Sequence, residues 1–375
     1  MNGFKSWIKQ NHSIALVILG LVIALTKLLP PVSLTHDIAF FIILPPILFQ
    51  GGMLLDRELL IQDWKPIGLL AVPGIVASAL LVGYPLSYFW HIPLIYALLF
   101  GALISPTDPV SVLAIIKRIK APQRLQTILE AESLFNDGTG VVLFLVILSM
   151  VQNNEPLNLK LALCQFFIIT GGGALVGFLC GYFIRQVLKL VDNQIITVSL
   201  TVILAFASPL IAESLHSSGI IAVVVAGLMM GGSHVPSNGR KIIRTFWKSM
   251  EFVMTSLVFF VIGLQLQTIG ENNLLQCKWF ILMGIAVVLI SRILVVYPVI
   301  FASNRISKNT IPLKWGHILF WGGLRGAIPI ILMLQLPEFQ WRPLFLSATF
   351  GIVLFSTIIQ GLTIEGLLKQ LKVYS

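Results

Sequence analysis

Polar and acidic side chains stand inside two long apolar stretches of this sequence, where charged groups are costly to keep. One stretch contains Thr107 and Asp108, and the next contains Ser133, Asn136 and Asp137. Ser133 and Asp137 are four residues apart, so they share one face of a helix. Hydroxyl, amide and carboxylate oxygens suit a hard cation. The pattern indicates a site for a small monovalent cation, and the alternative is a polar network that only holds helices together.

Two prolines flank the first pair of candidate residues. Pro106 and Pro109 each lack a backbone donor and disfavour helix at the residue before them. We therefore expect the helix to break around 105–108. Broken backbone inside a bilayer is tolerated only where it is buried in protein or lines a wet cavity. Freed carbonyl groups there can bind a cation beside Asp108, although a kink used only for packing is the alternative.

A second interruption is predicted in the opposite half of the chain. Three glycines and Pro329 surround Arg325 within 320–330 and weaken the helix there. Paired interrupted helices in the two halves point to an inverted repeat with two crossed discontinuous helices. Helix ends that face one another carry partial charges. Asp108 and Arg325 are placed by sequence to compensate these charges.

The elements that must position these residues are membrane spans. Of the 375 residues 57% are hydrophobic and 11% are charged, and the mean hydropathy is +0.94. Soluble domains carry about 25% charged residues, so the fold class is an all-α polytopic membrane protein. Apolar runs predict twelve spans, near 14–30, 36–54, 66–89, 93–116, 125–151, 160–184, 194–212, 217–233, 249–267, 278–302, 312–336 and 341–368. The first run is interpreted as a retained span, and no soluble domain is expected at either end.

The positive charge follows the loops. The net charge is +10, but no basic face with interleaved aromatic residues is present, which argues against a nucleic-acid partner. With the N-terminus placed in the cytoplasm, 19 basic loop residues fall on that side, and only Lys160, Lys278 and Arg342 fall on the other. This asymmetry predicts that both termini are cytoplasmic.

Five ionisable residues remain well inside predicted spans 4, 5, 10 and 11. They are Asp108, Glu132, Asp137, Arg292 and Arg325. A charge at mid-membrane depth costs several kcal/mol, so these residues are functional candidates.

Other residue types carry less chemistry. Three cysteines and six histidines show no metal-ligand spacing, and Ser133 has no neighbouring histidine to act as a base. We therefore expect no catalytic residues, no enzyme activity and no cofactor. The glycines at 171–173 lack the lysine of a phosphate loop, and close helix packing is the better interpretation.

Four ordered motifs carry a resemblance to a known family. They lie at 44–50, 107–109, 132–138 and 323–326. Together they resemble sodium/proton exchangers of the NhaP and NHE type, in the monovalent cation:proton antiporter superfamily. The similarity covers nearly the whole chain. It implies a secondary active antiporter that exchanges Na+, or K+ or Li+, for H+ by alternating access.

The resemblance also implies a role for each matched residue. Asp137 would carry either the proton or the cation, and Asn136 would stabilise the site beside it. Asp108 and Thr107 would shape the site, with Ser133 as a further ligand, so that Na+ is held at Asp137, Thr107 and Ser133. The adjacent Asn and Asp accompany electroneutral one-for-one exchange in the family.

Glu132 would pair with a buried arginine. Arg292 is the better family match, and Arg325 is the alternative. Two departures from the family stand out. Gln50 occupies a position where the family commonly has an acid. Twelve spans are predicted where the family usually has thirteen, so we expect one N-terminal span of the family to be missing from this sequence.

The family fold implies two kinds of helices within one transmembrane domain. A mobile core would comprise about 66–151 and 278–368, and a dimerisation part about 14–54 and 160–267. The protein would work as a homodimer in the lipid of the cell membrane, with monovalent cations and protons as its ligands. A K+-selective antiporter is a rival within this interpretation, and a non-exchanging ion channel is the alternative outside it.

Overall fold

The computed structural model describes residues 12–30, 35, 37–191, 193–231, 237–306 and 309–373. Every regular element in these ranges is a helix. Lys5, Lys9 and Lys308, which contribute to the predicted charge asymmetry, lie outside them. The predicted all-α class is confirmed for the part of the chain that is described.

The helices follow one another with short connections. In chain order they are α1 (His12–Thr26), α2 (Ile38–Leu54, π-helical over Ile38–Ile43), α3 (Arg57–Gln62), α4 (Trp64–Ala71), α5 (Pro73–Trp90), α6 (Leu94–Ile104), α7 (Val110–Arg118), α8 (Gln123–Gln152), α9 (Leu159–Leu188), α10 (Gln194–Ser214), α11 (Gly219–Met230), α12 (Ser237–Ile269), α13 (Glu271–Gln276), α14 (Lys278–Ile306), α15 (Leu313–Trp321), α16 (Ala327–Met333), α17 (Arg342–Leu354) and α18 (Gly361–Gln370), with a π-helical turn at Phe355–Gln360 between the last two.

Each predicted span coincides with one helix or with a pair of helices. Within the described ranges, seven helical segments are long and apolar enough to cross a membrane, and four shorter apolar helices accompany them. The helix α12 begins at Ser237, twelve residues before the predicted start at 249. Basic residues at the start of α12 interrupt the apolar run, so the sequence predicted a later start for the span. The backbone is nevertheless helical from Ser237. The count of twelve crossings stays a prediction.

The chain divides into two compact units. The first contains the described residues within 1–34, 63–157 and 256–375, and the second contains those within 35–62 and 158–255. Aromatic residues form part of the first unit's core, since the ring of Phe100 lies 4.9 Å from that of Phe345 and 6.0 Å from that of Phe280. The assignment of helices to a mobile core and a dimerisation part is a statement about motion and assembly, and it stays a prediction.

Close helix packing characterises the second unit. A side chain on Gly173 would meet the carbonyl carbon of Ser218 at 3.2 Å, and one on Gly177 would meet the Cα of Ala222 at 2.9 Å. Gly172 faces Ser217, two residues before the start of α11, whereas Gly171 has open space around it. The predicted packing role of the glycine run therefore holds for Gly172 and Gly173.

Candidate functional site

The first break in the helices lies where the two prolines predicted it. Helix α6 ends at Ile104 and α7 begins at Val110, and residues 105–109 between them are not helical. Ser105 and Thr107 in this break are both buried. The break therefore exposes unpaired backbone groups inside the protein, where each needs a partner.

The second break lies around Arg325. Helix α15 ends at Trp321 and α16 begins at Ala327, with residues 322–326 unwound between them. The two breaks are in contact, because the backbone N–H of Asp108 donates to the carbonyl oxygen of Leu324 at 2.7 Å. The structure thus brings together the two interruptions, and the crossing of the two helices stays a prediction.

Arg325 joins the breaks through its side chain. Its Nη1 donates to the carbonyl oxygen of Ser105 and, at 3.0 Å, to that of Pro106. These carbonyl groups follow the last turn of α6, where the helix dipole is negative. Arg325 is 2% exposed, and its Nε and Nη2 have no hydrogen-bond partner among the described residues. A buried positive charge thus faces the negative end of a half-helix.

Asp108 has the opposite arrangement. Its Oδ1 accepts from the backbone N–H of Val110 at 2.9 Å, and its carboxylate also accepts from the backbone N–H of Ala327. These are the first residues of α7 and α16, the positive ends of two half-helices. A Cβ on Gly326 would lie 2.6 Å from the Asp108 Cγ. Only glycine at 326 lets the carboxylate approach α16 this closely.

Thr107 is held from both sides by residues of α8. Asn136 Nδ2 donates to Thr107 Oγ1 at 2.6 Å, and the Thr107 N–H donates to Asn136 Oδ1 at 3.2 Å. Ser133 Oγ donates to the Thr107 carbonyl oxygen. All three residues are buried. The structure therefore brings together three of the candidate ligands in one cluster of oxygen and amide groups.

Glu132 forms a buried ion pair with Arg292. Arg292 Nη1 lies 2.9 Å from Glu132 Oε1, and Arg292 Nη2 donates to the carbonyl oxygen of Leu319 at 2.8 Å. Asn136 Nδ2 also donates to Glu132 Oε1, at 2.9 Å. Of the two arginines considered as partners, the structure pairs Glu132 with Arg292, while Arg325 binds the backbone of the first break.

Asp137 differs from its neighbours. It is partly exposed, as is Asp108, whereas Glu132 and Asn136 are buried. Among the described residues Asp137 has no hydrogen bond or ion pair, and the charged groups that act on it are the carboxylates of Asp108 and Glu132. A carboxylate among other carboxylates, with no internal cation beside it, is suited to bind an ion from outside.

Sequence reasoning missed a third element of the site. Ser356 and Gln360 lie in the π-helical turn of the last span. Ser356 accepts from the Arg325 N–H within the second break, and Gln360 donates to the carbonyl oxygen of Trp321 at the end of α15. The available signal was the spacing of polar residues four apart within an apolar span, which places both on one helix face. Gln50, by contrast, belongs to the second unit and lies outside this cluster.

Comparison with known proteins agrees with this geometry. The sequence profile described as "Sodium/hydrogen exchanger, transmembrane" matches residues 3–370. The chain belongs to the sodium/hydrogen exchanger family. The predicted resemblance is thereby confirmed, and the exchanger is a multi-pass membrane protein of a transporter family.

Three curated relatives show how far the similarity extends. This exchanger is 35% identical to the low-affinity Na+/H+ antiporter NhaS1 of Synechocystis, over 97% of this chain and 70% of that protein. It is 38% identical to the Na+/H+ antiporter NhaP of Pseudomonas aeruginosa, over 88% of this chain and 80% of that protein. It is 36% identical to the Na+/H+ antiporter NhaH of Halobacillus dabanensis, over 97% and 93%.

A solved structure matches the fold. The sodium proton antiporter MjNhaP1 of Methanocaldococcus jannaschii superimposes with a TM-score of 0.78, at 20% identity, over 96% of this chain and 92% of that chain. At this identity the match concerns the fold. The predicted all-helical membrane fold is thereby confirmed, and it is similar to the fold of MjNhaP1.

Proposed function

We propose that this exchanger is a secondary active antiporter that moves Na+ against H+, with Asp137 as the shared carrier of both ions. The observation that carries the proposal is the setting of Asp137. Its carboxylate is partly exposed, lacks an internal partner among the described residues, and lies near Asp108 at the contact of the two breaks. Family membership and the names of the three relatives support it.

The residues around Asp137 have distinct tasks in this mechanism. Na+ binds the Asp137 carboxylate, and the oxygens of Ser133 and Thr107 complete its shell. Asn136 holds Thr107 in place through two hydrogen bonds. Asp108 shapes the site from the N-termini of two half-helices. The contacts of Asn136 and Asp108 support their roles, and the chemistry of oxygen ligands supports those of Asp137, Ser133 and Thr107.

Coupling arises because one group serves both ions. A proton and a sodium ion compete for the Asp137 carboxylate. The empty, charged carboxylate is costly to carry across an apolar barrier, so the alternating-access movement occurs only when either ion occupies it. Leak of one ion without the other is thereby suppressed.

The charges of the neighbouring residues support one-for-one exchange. Glu132 is neutralised by Arg292 at 2.9 Å, and Asn136 carries no charge. In the proposed cycle Asp108 keeps the same charge throughout, with its carboxylate facing the positive ends of two half-helices. Asp137 is then the one group whose charge is carried across, with either H+ or Na+, so each cycle moves no net charge.

The setting of the protein follows from the same interpretation. The exchanger lies in the cell membrane among lipids, with both termini in the cytoplasm. It works as a homodimer and needs no cofactor and no catalytic residue. Cysteine labelling from each side of sealed vesicles tests the orientation. Cross-linking in the native membrane, followed by mass determination, tests the dimer.

The deciding experiment uses proteoliposomes that contain a pH-sensitive dye. A pH gradient is imposed, and Na+, Li+ and K+ chloride are added separately in parallel samples. If Na+ or Li+ dissipates the gradient, exchange is supported. If the rate of dissipation is the same at different clamped membrane potentials, the exchange is electroneutral. Dissipation by K+ alone would select the K+-selective antiporter. Current without proton movement would select a channel, and no ion response would overturn the proposal.

A further inference from the structure

The last span carries a polar face that contacts the second break. Within the π-helical turn Phe355–Gln360, Ser356 Oγ accepts a hydrogen bond from the Arg325 N–H at 2.7 Å and donates one to Gln360 Oε1 at 2.7 Å. Gln360 Nε2 donates to the carbonyl oxygen of Trp321 at 3.3 Å. Ser356 is 1% exposed and Gln360 is 4% exposed. Both side chains are therefore committed to the break.

The second break needs these partners. Where a helix unwinds inside a membrane, its freed N–H and C=O groups have no water to bond. The Gly322 N–H donates to the carbonyl oxygen of Ile318 in α15, and the Leu324 N–H donates to that of Gly322 within the break. The Arg325 N–H and the Trp321 carbonyl receive their side-chain partners from Ser356 and Gln360. The π-helical turn is thus part of what keeps residues 322–326 unwound.

The second break in turn determines the position of the first. The Leu324 carbonyl accepts the Asp108 N–H at 2.7 Å, and the Arg325 side chain donates to the carbonyl groups of Ser105 and Pro106. Thr107 lies between these attachment points, and Asp108 is itself one of them. A displacement of the Arg325 backbone would therefore move the first break, which carries two of the residues proposed to form the ion site.

We propose that Ser356 and Gln360 are positioning residues of the exchange site, acting through the backbone of Trp321 and Arg325 on Thr107 and Asp108. The inference rests on the proposed function, because positioning is defined relative to the ion that Asp137 binds. π-Helical turns inside α-helices occur frequently at functional sites. Here the turn lets one side-chain pair reach two separate groups of an unwound segment.

A merely structural role would give a different result. A buried serine that only stabilises the fold, when replaced, lowers the melting temperature and the yield of active protein but leaves the ion affinity unchanged. A positioning serine changes the apparent affinity for Na+ and the pH profile, because the geometry of the carboxylates and of Thr107 changes. The KM for Na+ therefore distinguishes the two roles, whereas the amount of folded protein does not.

The test compares Ser356→Ala with two reference variants. Ser347→Ala is the matched control, since Ser347 lies in the same span, is 0% exposed, and its Oγ has no partner among the described residues. Ser356→Thr is the conservative rescue, because it retains the hydroxyl. Initial rates are measured in proteoliposomes against the Na+ concentration and across pH. We expect Ser356→Ala to raise the KM for Na+ about tenfold and to displace the pH profile.

Both reference variants are expected to behave like the parental protein. Ser347→Ala keeps the parental KM and pH profile, and Ser356→Thr returns both close to the parental values. If Ser356→Ala does not fold, Gln360→Met provides the same test, because it removes the amide while keeping a flexible side chain of similar length. An unchanged KM and pH profile in a folded Ser356→Ala or Gln360→Met variant would overturn the inference.

A second readout does not depend on transport. Hydrogen–deuterium exchange is measured on peptides that cover 105–110 and 321–327 in detergent. We expect faster uptake in both peptides for Ser356→Ala than for Ser347→Ala, since the Arg325 N–H loses its partner. Equal uptake would overturn the inference. A different result is that the parental protein fails to exchange ions while deuterium uptake is still faster in Ser356→Ala than in Ser347→Ala. That result would show that the proposed function has failed, and not the contact between the turn and the breaks.

Discussion

The guanidinium of Arg325 donates to the carbonyl oxygen of Pro106 at 3.0 Å, across a sequence separation of 219 residues. This bond joins the unwound segment of one interrupted helix to the unwound segment of the other. It places a buried positive charge at the negative end of α6. The Asp108 carboxylate meets two positive helix ends nearby. Together these contacts fix the positions of the charged groups around the site. Asp137 is the carboxylate there that has no hydrogen bond or ion pair among the described residues, so it can bind an ion.

The first prediction concerns the carrier. Replacing Asp137 with Asn removes the charge that Na+ needs and the group that the proton binds. We expect exchange to fall to the level of empty liposomes, while the melting temperature in detergent stays near the parental value. The control is Glu338→Gln, since that side chain is 87% exposed and its replacement leaves the site intact. Full exchange by Asp137→Asn would end the carrier hypothesis.

The second prediction concerns the buried ion pair. Arg292→Ala leaves Glu132 charged and without its cation, and removing one partner from a buried pair costs about 3–5 kcal/mol. We expect a lower melting temperature in detergent together with slower exchange. Arg118→Ala is the control. Its pair with Glu365 is more than one-third exposed, and such pairs contribute about 0–1 kcal/mol. Equal melting temperatures for the two variants would argue that the Glu132–Arg292 pair does not stabilise the fold.

The third prediction concerns space at the second break. A Cβ on Gly326 would lie 2.6 Å from the Asp108 Cγ, so Gly326→Ala must displace the carboxylate from α16. We expect loss of most exchange activity. Gly366→Ala is the matched control, because nothing lies within 4 Å of a Cβ there. Helix propensity favours that change by about 1 kcal/mol. Activity of Gly326→Ala equal to that of Gly366→Ala would contradict the close approach of Asp108.

The fourth prediction concerns Thr107. Thr107→Val keeps the shape of the side chain but removes the hydroxyl that accepts from Asn136 Nδ2 at 2.6 Å. A buried donor left without this partner costs about 1–3 kcal/mol. We expect a higher KM for Na+ with a smaller change in the maximal rate. Thr107→Ser, which keeps the oxygen, should resemble the parental protein in the same proteoliposome assay. A parental KM in Thr107→Val would exclude the hydroxyl from the site.

Much of the fold was predictable because its signals are local. Apolar run length indicates a membrane helix, and each predicted span corresponds to a helix or a helix pair. Prolines and glycines act on their own backbone and on adjacent residues. The breaks at 105–109 and 322–326 therefore lie where 106, 109 and the glycines around 325 predicted them.

The partners of the buried groups could not be predicted in the same way. Arg292 and Glu132 are 160 residues apart, and local chemistry alone left Arg292 and Arg325 as alternatives, of which the family resemblance favoured Arg292. Only the packing of α14 against its neighbours brings one of them to the carboxylate. The hydrogen bonds of Ser356 and Gln360 also depend on packing, since polar spacing shows which helix face they share but not what that face contacts. Local chemistry acts over a few residues, whereas partner choice depends on distances that arise once the helices are assembled.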